Sequence, residues 1–316
     1  MKPKGIRSII SVFSLAVFML FSGTLPAKAA AALFNPENFV LIQGGEFTMG
    51  SPKSEAGRVE TKASGYYHWI DYSETQHQVR VSNFCMSRYA VTVAEFSRFV
   101  EASRYRTEAE NVGSGQIISN GKYTVGKGVN WRHGVSGIVR SQSEENHPVL
   151  RVSWNDAVAY SKWFSAKSGR HFRLPTEAEW EYACRAGSST PFNTGENITT
   201  SQVNYNGNYP YNNYPKGDAR QNTVPVDSFA PNAWGLYNMH GNVFEWCSDW
   251  YSGMYYDECK ANGMVTDPAG PAMGSYRVIR GGSWLNNAVY CRSADRRFSS
   301  PHNKLSFLGF RLVLMP

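Results

Sequence analysis

From Ser188 to Pro316 the chain shows no helical period of apolar residues, only short strand-like runs separated by turn residues. A stretch like that cannot be stabilised by its own hydrogen-bonded ladder and must be packed against something else. The means are present: 9 Trp, 18 Tyr and 17 Phe, with 28 Gly to let the backbone turn. This excludes a helical bundle or a coiled coil. With 42% hydrophobic and 18% charged residues the chain can fill a sizeable core, so disorder is excluded as well. Its 316 residues allow one large domain or two small ones.

The first half is more regular. Phe39 to Ser51 reads as a strand, a Gly44-Gly45 turn and an alternating strand, and His77 to Val81 alternates again. Thr92 and Glu95 have the spacing of a capping box that opens a helix. Residues 106–146 are rich in Gly, Ser and Asn and read as a long surface excursion. Ser153 caps a helix whose Ala157, Tyr160, Trp163 and Phe164 share a face, with Gly169 as its stop. Thr176 and Glu179 form a second capping box, and Gly187 is the expected terminator. The fold class is therefore α+β, helices first and a loop-rich β region after, with no internal repeats.

The N-terminus carries a secretory pattern: basic Lys2, Lys4 and Arg7, an apolar run from Ile9 to Phe21, and Ala27-Lys28-Ala29 as a small-x-small cleavage site. The alternative, a membrane anchor, is disfavoured by the shortness of the run and by Pro26. An exported protein is expected, with residues 1–29 as signal peptide and 30–316 as a single domain, at the cell surface, in the periplasm or secreted. The formal charge of +7 falls to about +3 once Lys2, Lys4, Arg7 and Lys28 are set aside. No basic run interleaved with aromatics occurs, so a nucleic-acid partner is not expected. The five cysteines (Cys85, Cys184, Cys247, Cys259, Cys291) are odd in number, which leaves at least one unpaired within the chain. Cys247 and Cys259 are close enough in sequence to pair, a question the sequence leaves open.

Six phrases then define a resemblance: Gly44 to Ser51, His147-Pro148-Val149 running into Val152-Ser153-Trp154, Arg173 to Ala183, Gly235 to Trp246, Arg280 to Trp284, and Gly309-Phe310-Arg311. In this order they resemble the formylglycine-generating enzyme (sulfatase-modifying factor) family over roughly residues 38–316. The resemblance implies an elaborated C-type lectin-like fold. It also implies where chemistry would sit: a copper-thiolate oxidase on two cysteines separated by four residues, just after the Gly-Gly-Ser motif. Here Cys291 stands at the second position and Asn286 at the first. An amide is a hard, poor ligand for Cu(I), so no copper and no formylglycine-generating activity are expected. The alternative, an oxidoreductase with altered chemistry, would rest on Cys291 and Ser283. The seven histidines (68, 77, 133, 147, 171, 240, 302) never take the iron-binding spacing of the related sulfoxide synthases. His147 reads as structural.

Between Leu285 and Leu308, residues of the family pattern (Ala288, Cys291, Arg292, Ala294, Arg296, Pro301) alternate with chemically unrelated ones. The latter are Leu285, Asn286, Asn287, Val289, Tyr290, Asp295, Arg297, Phe298, Ser299, Ser300, His302, Asn303, Leu305, Ser306 and Phe307. All fifteen can be encoded by changing only the adenines of an AAC codon, which cannot yield Lys, Gln, Glu, Met or Trp. This resembles the variable proteins of diversity-generating retroelements, the treponeme type above all. The resemblance implies a non-enzymatic protein that meets an unknown protein or cell-surface ligand, as a monomer, through a hypervariable region at about 285–308. Mixed aromatic and small polar residues suit such a paratope. The fifteen side chains should then be mostly exposed and gathered on one face, with Trp284, Arg296 and Phe310 as scaffold. The family also implies structural calcium, on Asn238, Gly241, Val243 and Glu245 in one loop and on Asn204, Tyr205, Asp218 and Arg220 in another, Gly, Val, Tyr and Arg through their carbonyls. The Glu-Pro-Asn or Gln-Pro-Asp signature of sugar-binding C-type lectins is absent, and Trp154-Asn155-Asp156 opens a helix instead.

Overall fold

Side-chain capping sets the helix starts in the computed structural model, which describes residues 35–58, 74–119 and 121–315. Thr92 begins α1 (Val93–Ser103) with a reciprocal bond to Glu95, and Thr107 begins α2 (Glu108–Val112) in the same way with Glu110. Ser153 with Asp156 opens α3 (Trp154–Ser168), and Thr176 with Glu179 opens α4 (Glu177–Arg185). Gly169 ends α3 in the left-handed conformation, φ 70°. α4 departs from expectation, because its left-handed cap is Ala186, φ 46°, one residue before Gly187.

Three features, a short helix, a hairpin and a late helix, were not anticipated. The expected surface excursion over 106–146 contains α2 and a hairpin of β-strands at Ser114–Ser119 and Lys122–Lys127. The second half contains a helix, α5 (Tyr255–Ala261). It begins at Met254 with no side-chain cap bond, which is why no start signal was visible.

The strands assemble into small sheets that tie distant segments together. In chain order they are β1 (Phe39–Ile42), β2 (Gly45–Met49), β3 (His77–Val81), β4 (Phe84–Ser87), the hairpin pair β5 and β6, β7 (Phe172–Arg173), β8 (Phe244–Trp250), β9 (Val265–Thr266), β10 (Arg277–Arg280), β11 (Arg297–Ser299), β12 (Leu308–Gly309) and β13 (Val313–Leu314). β1 and β2 do not pair with each other across Gly44-Gly45; β1 lies on β4, and β2 on β3. One sheet runs β1-β4-β13-β7, so the last strand is clasped between two from the first half. Another runs β11-β10-β8-β12 and carries the candidate site at its end. The alternation expected at β3 is present, with His77, Val79 and Val81 buried and Gln78 and Arg80 exposed.

The largest apolar cluster joins α1 and α3 to the second half: Phe96, Phe99 and Tyr160 pack with Phe310, Trp246 and Leu308. Phe96 and Tyr160 lie stacked with ring centroids 5.9 Å apart, and Phe310 meets Tyr160 edge-on at 5.4 Å. All five cysteines are free thiols, so Cys247 and Cys259 do not pair. His147 is buried with Nδ1 2.9 Å from the Thr223 hydroxyl, the structural role expected of it.

Buried ion pairs fasten the C-terminal segment to α4. Arg296 forks onto both oxygens of Glu177 at 2.7 and 2.8 Å, and Arg280 pairs with Glu181. Although burial opposes its charge, Arg296 and Arg280 hold the Glu177 carboxyl below the usual carboxylate range. That contribution is present above the ordinary carboxylate pKa and is lost as pH falls through the lowered one. Removing one partner of such a pair strands the other and costs about 3–5 kcal/mol. Arg296→Met is therefore expected to lower the unfolding free energy by about that amount in urea titration at pH 7, whereas His302→Ala on the surface should stay within about 0.5 kcal/mol. Equal, small effects would show that the pair does not anchor the segment.

Candidate functional site

Two consecutive left-handed glycines, Gly281 (φ 100°) and Gly282 (φ 72°), turn the chain out of β10. A Cβ on Gly282 would sit 2.5 Å from the Cys291 sulfur, so only glycine fits this turn. The turn delivers Ser283, Trp284, Leu285 and Asn286 in sequence. Trp284 donates its backbone N–H to the Asn242 carbonyl and its indole N–H to the Ser306 carbonyl at 3.3 Å, which fixes the ring. The Ser283 hydroxyl donates to the Asn286 side-chain oxygen in a short hydrogen bond. The Asn286 carbonyl in turn receives the Asn206 backbone N–H at 2.9 Å.

Next to these residues lies a pocket of about 430 Å³. Asn206, Asn208 and Gln221 supply amides, Trp284, Leu285 and Ile118 supply apolar surface, and among the described residues no ionisable side chain lines it. A cavity of this kind offers donors and acceptors but no charge, which suits an uncharged polar group. The three amides escaped sequence reasoning. Asn206-Gly207-Asn208 reads only as a turn, and Gln221 sits in an irregular stretch with nothing periodic to mark it.

Cys291 ends a short 3₁₀ turn, Ala288–Cys291, and is fully buried. Burial, together with nearby Asp295 and Cys184, pushes its thiol far above the ordinary value. Burial lifts the neighbouring Cys184 to about 12. His240 lies between them: its Nδ1 is 2.7 Å from the Cys291 carbonyl, and its Nε2 accepts the Asn193 N–H at 3.0 Å. Burial lowers its pKa to about 4, so it is neutral and fully engaged. Among the described residues His240 is therefore not placed to generate a thiolate at Cys291. Ser283 fares no better as a nucleophile, because its hydroxyl donates to an amide rather than to a base.

The fifteen proposed variable residues are not uniformly exposed, which corrects the expectation of one solvent-facing set. His302 and Asn303 are exposed, whereas Asp295, Ser299 and Ser306 are buried. Asp295 is held by Arg297 at 3.0 Å, and the Ser306 hydroxyl donates to Gln116 at 3.1 Å. The rest are half-buried. Phe298 sits between the rings of Tyr251 and Tyr276 at 4.5 and 4.9 Å, and Phe307 packs on Phe244. Tyr290 carries the Arg297 guanidinium over its ring at 4.5 Å. Val289 packs into the cluster of Phe192, Tyr205 and Tyr211, and Leu305 against the main core. Leu285 lines the amide pocket, Asn286 binds Ser283, and Asn287 precedes the 3₁₀ turn without a side-chain cap bond; Ser300 is half-buried as well. Trp284, Arg296 and Phe310 are buried, as expected of scaffold.

The calcium loops fit a cation only in part. The side-chain oxygens of Asn204 and Asn238 are buried and lack a hydrogen-bond partner among the described residues, as an oxygen awaiting a hard cation would be. Glu245 does not offer free charge. Arg311 forks onto it at 2.6 and 2.8 Å, and Trp180 donates to it at 2.8 Å. The Gly241 carbonyl already accepts the Val243 N–H. In the second loop the Asp218 side chain is 80% exposed and 3.8 Å from Arg220, while Tyr205 is buried.

Fold and site together define a C-type lectin-like domain of the formylglycine-generating enzyme type. The chain belongs to the sulfatase-modifying factor enzyme 1-like domain family, which matches residues 25–316. It is 36% identical to the formylglycine-generating enzyme of Streptomyces coelicolor, over 90% of this chain and 94% of that protein. The enzyme of Mus musculus is 37% identical over 86% of this chain and 73% of its own. Among solved structures, PvdO from Pseudomonas aeruginosa superposes with a TM-score of 0.65 at 28% identity, covering 88% of this chain and 94% of that one. Treponema denticola variable protein 1 gives 0.62 at 23% identity, covering 88% and 95%, and bears on the fold alone.

Proposed function

We propose that this chain is a non-enzymatic binding member of its family, which holds a ligand at the amide-lined pocket beside Leu285 and Asn286. The observation that carries the reading is Asn286 itself. It stands where the family's first copper thiolate would be, and it is locked to Ser283 by a hydrogen bond that a metal ligand could not spare. What remains, Cys291, is one sealed and protonated thiol, and one thiolate does not make a linear Cu(I) site. The neighbouring pocket is large enough for a small polar group, and among the described residues its lining has no charged or basic group for catalysis.

Export and surface display, as a monomer, complete the proposal, with residues 285–308 diversified by a retroelement. The support for diversification is the residue composition of the fifteen positions, all of which an AAC codon changed only at its adenines can encode. Burial narrows it: Asp295, Ser299 and Ser306 serve the scaffold, and of the fifteen only His302 and Asn303 are exposed. The second reading, an oxidoreductase working through Cys291, is favoured by the identity to named formylglycine-generating enzymes. It requires a thiol that can lose its proton, and burial opposes that.

Incubating the protein with copper, oxygen and a cysteine-containing sulfatase-type peptide separates the two by mass spectrometry. The peptide cysteine is expected to survive unchanged, and with Asn286→Cys alone as well, because Ser283 and the pocket remain built around an amide. Conversion to formylglycine by the unaltered protein would overturn the proposal. Independently, the adjoining DNA is expected to hold a near-copy of the 285–308 coding stretch beside a reverse transcriptase gene. If neither is there, diversification falls and copper-free binding stands.

Calcium belongs to the proposal as a structural ion in each of the two loops, at the Asn238 oxygen in one and at the Asn204 oxygen in the other. A cation that binds only the folded state raises its melting temperature by mass action. Melting after EDTA treatment is expected to fall below that in millimolar calcium, and identical curves would remove the ion from the account.

A further inference from the structure

Where α1 gives way to α2, the chain borders an open depression of about 500 Å³ on a different part of the molecule from the amide pocket. It is lined by Val100, Arg104, Tyr105, Arg106, Glu110 and Arg132, with the Asn130 amide at its edge. Three guanidiniums face one carboxylate there. That carboxylate is occupied twice over: one Glu110 oxygen takes the Thr107 backbone N–H and hydroxyl to cap α2, and the other takes Arg132 at 2.5 Å. Arg132 is further fixed by lying over the Trp131 ring at 4.3 Å.

The other two arginines are left over. Arg104 is exposed and makes no hydrogen bond or ion pair among the described residues. It occupies the left-handed cap position of α1, φ 55°, where glycine is the usual residue. Arg106 is exposed too, with a single long contact to the Glu110 carbonyl at 3.4 Å. Two uncompensated cationic forks and one anchored one, around a concavity large enough for a tetrahedral anion and its substituent, are a donor set without an acceptor. Guanidinium forks match the oxygens of phosphate and sulfate and bind them bidentately.

We propose that this depression is a binding site for a ligand carrying a phosphate or sulfate group, with Arg104 and Arg106 supplying the charge and Arg132 the fixed geometry. The site is independent of the amide pocket, which has no ionisable lining residue among the described ones. A ligand's anionic group would sit among the arginines while its neutral part rests against Tyr105 and Val100.

The test titrates the full chain with inorganic phosphate and, separately, with sulfate, in dilute Tris chloride, by calorimetry. Saturable binding of one anion per chain is expected. Arg104→Ala and Arg106→Ala should each weaken it by about tenfold. Lys216→Ala, an exposed charge that does not line the depression, should leave it unchanged. Both arginine side chains are exposed, so the variants should melt with the parent, and any that does not is replaced by the Gln substitution at the same position. The tighter of the two anions names the group. A linear, unsaturable titration, or equal weakening by Lys216→Ala and Arg104→Ala, would mean general charge screening only and would overturn the proposal.

Discussion

The loop-rich second half of this protein depends on buried guanidinium–carboxylate pairs. Arg280, Arg292, Arg296 and Arg311 are all essentially inaccessible to water, and each is matched to a carboxylate contributed from elsewhere in the chain. Arg292 reaches back to Glu74 and Glu55, Arg296 to Glu177, and Arg311 to Glu245. Short strands and turns have too few ladder bonds to specify one arrangement. Forked pairs with fixed geometry supply the missing specification. Removing either partner would leave a desolvated charge, so the arrangement is exacting as well as stabilising.

That framework explains how the site can change without losing the fold. Asn286 lies on the turn after Gly281-Gly282, outside the ion-pair network, and satisfies its own side chain through Ser283. Exchanging a metal-binding thiol for an amide here disturbs nothing that Arg292 or Arg296 holds. Cys291, by contrast, is embedded beside Gly282, Cys184 and His240, where its packing serves the core whatever its chemistry. One member of the pair is free to vary and the other is not.

Much of the architecture was legible because it rests on local chemistry. Thr92, Ser153 and Thr176 announce their helices through side chains that bond their own backbone, and the aromatic excess announces the core. Of the elements that were missed, α2 does carry such a signal, Thr107 with Glu110, but inside a stretch whose Gly, Ser and Asn content reads as loop; the others lack one. α5 has no side-chain cap, and the strands Ser114–Ser119 and Lys122–Lys127 follow a sequence too polar to alternate. At the site, the replacement of the first copper-site cysteine by Asn286 could be read from the sequence alone. The pocket amides and the arginine depression could not, since Asn206, Gln221, Arg104 and Arg132 come together only through tertiary contacts. Burial of Asp295 and Ser306 was equally invisible, because a small polar residue looks the same in sequence whether it meets water or a buried partner.

The account turns on whether a single sealed thiol can hold copper. Equilibrium competition for Cu(I) between the protein and a chromophoric chelator, under anaerobic conditions, asks this directly. All the metal is expected to remain with the chelator at every protein concentration, with and without Cys291→Ser. Retention of one Cu(I) per chain, abolished by Cys291→Ser, would contradict the account and return the protein to the copper enzymes.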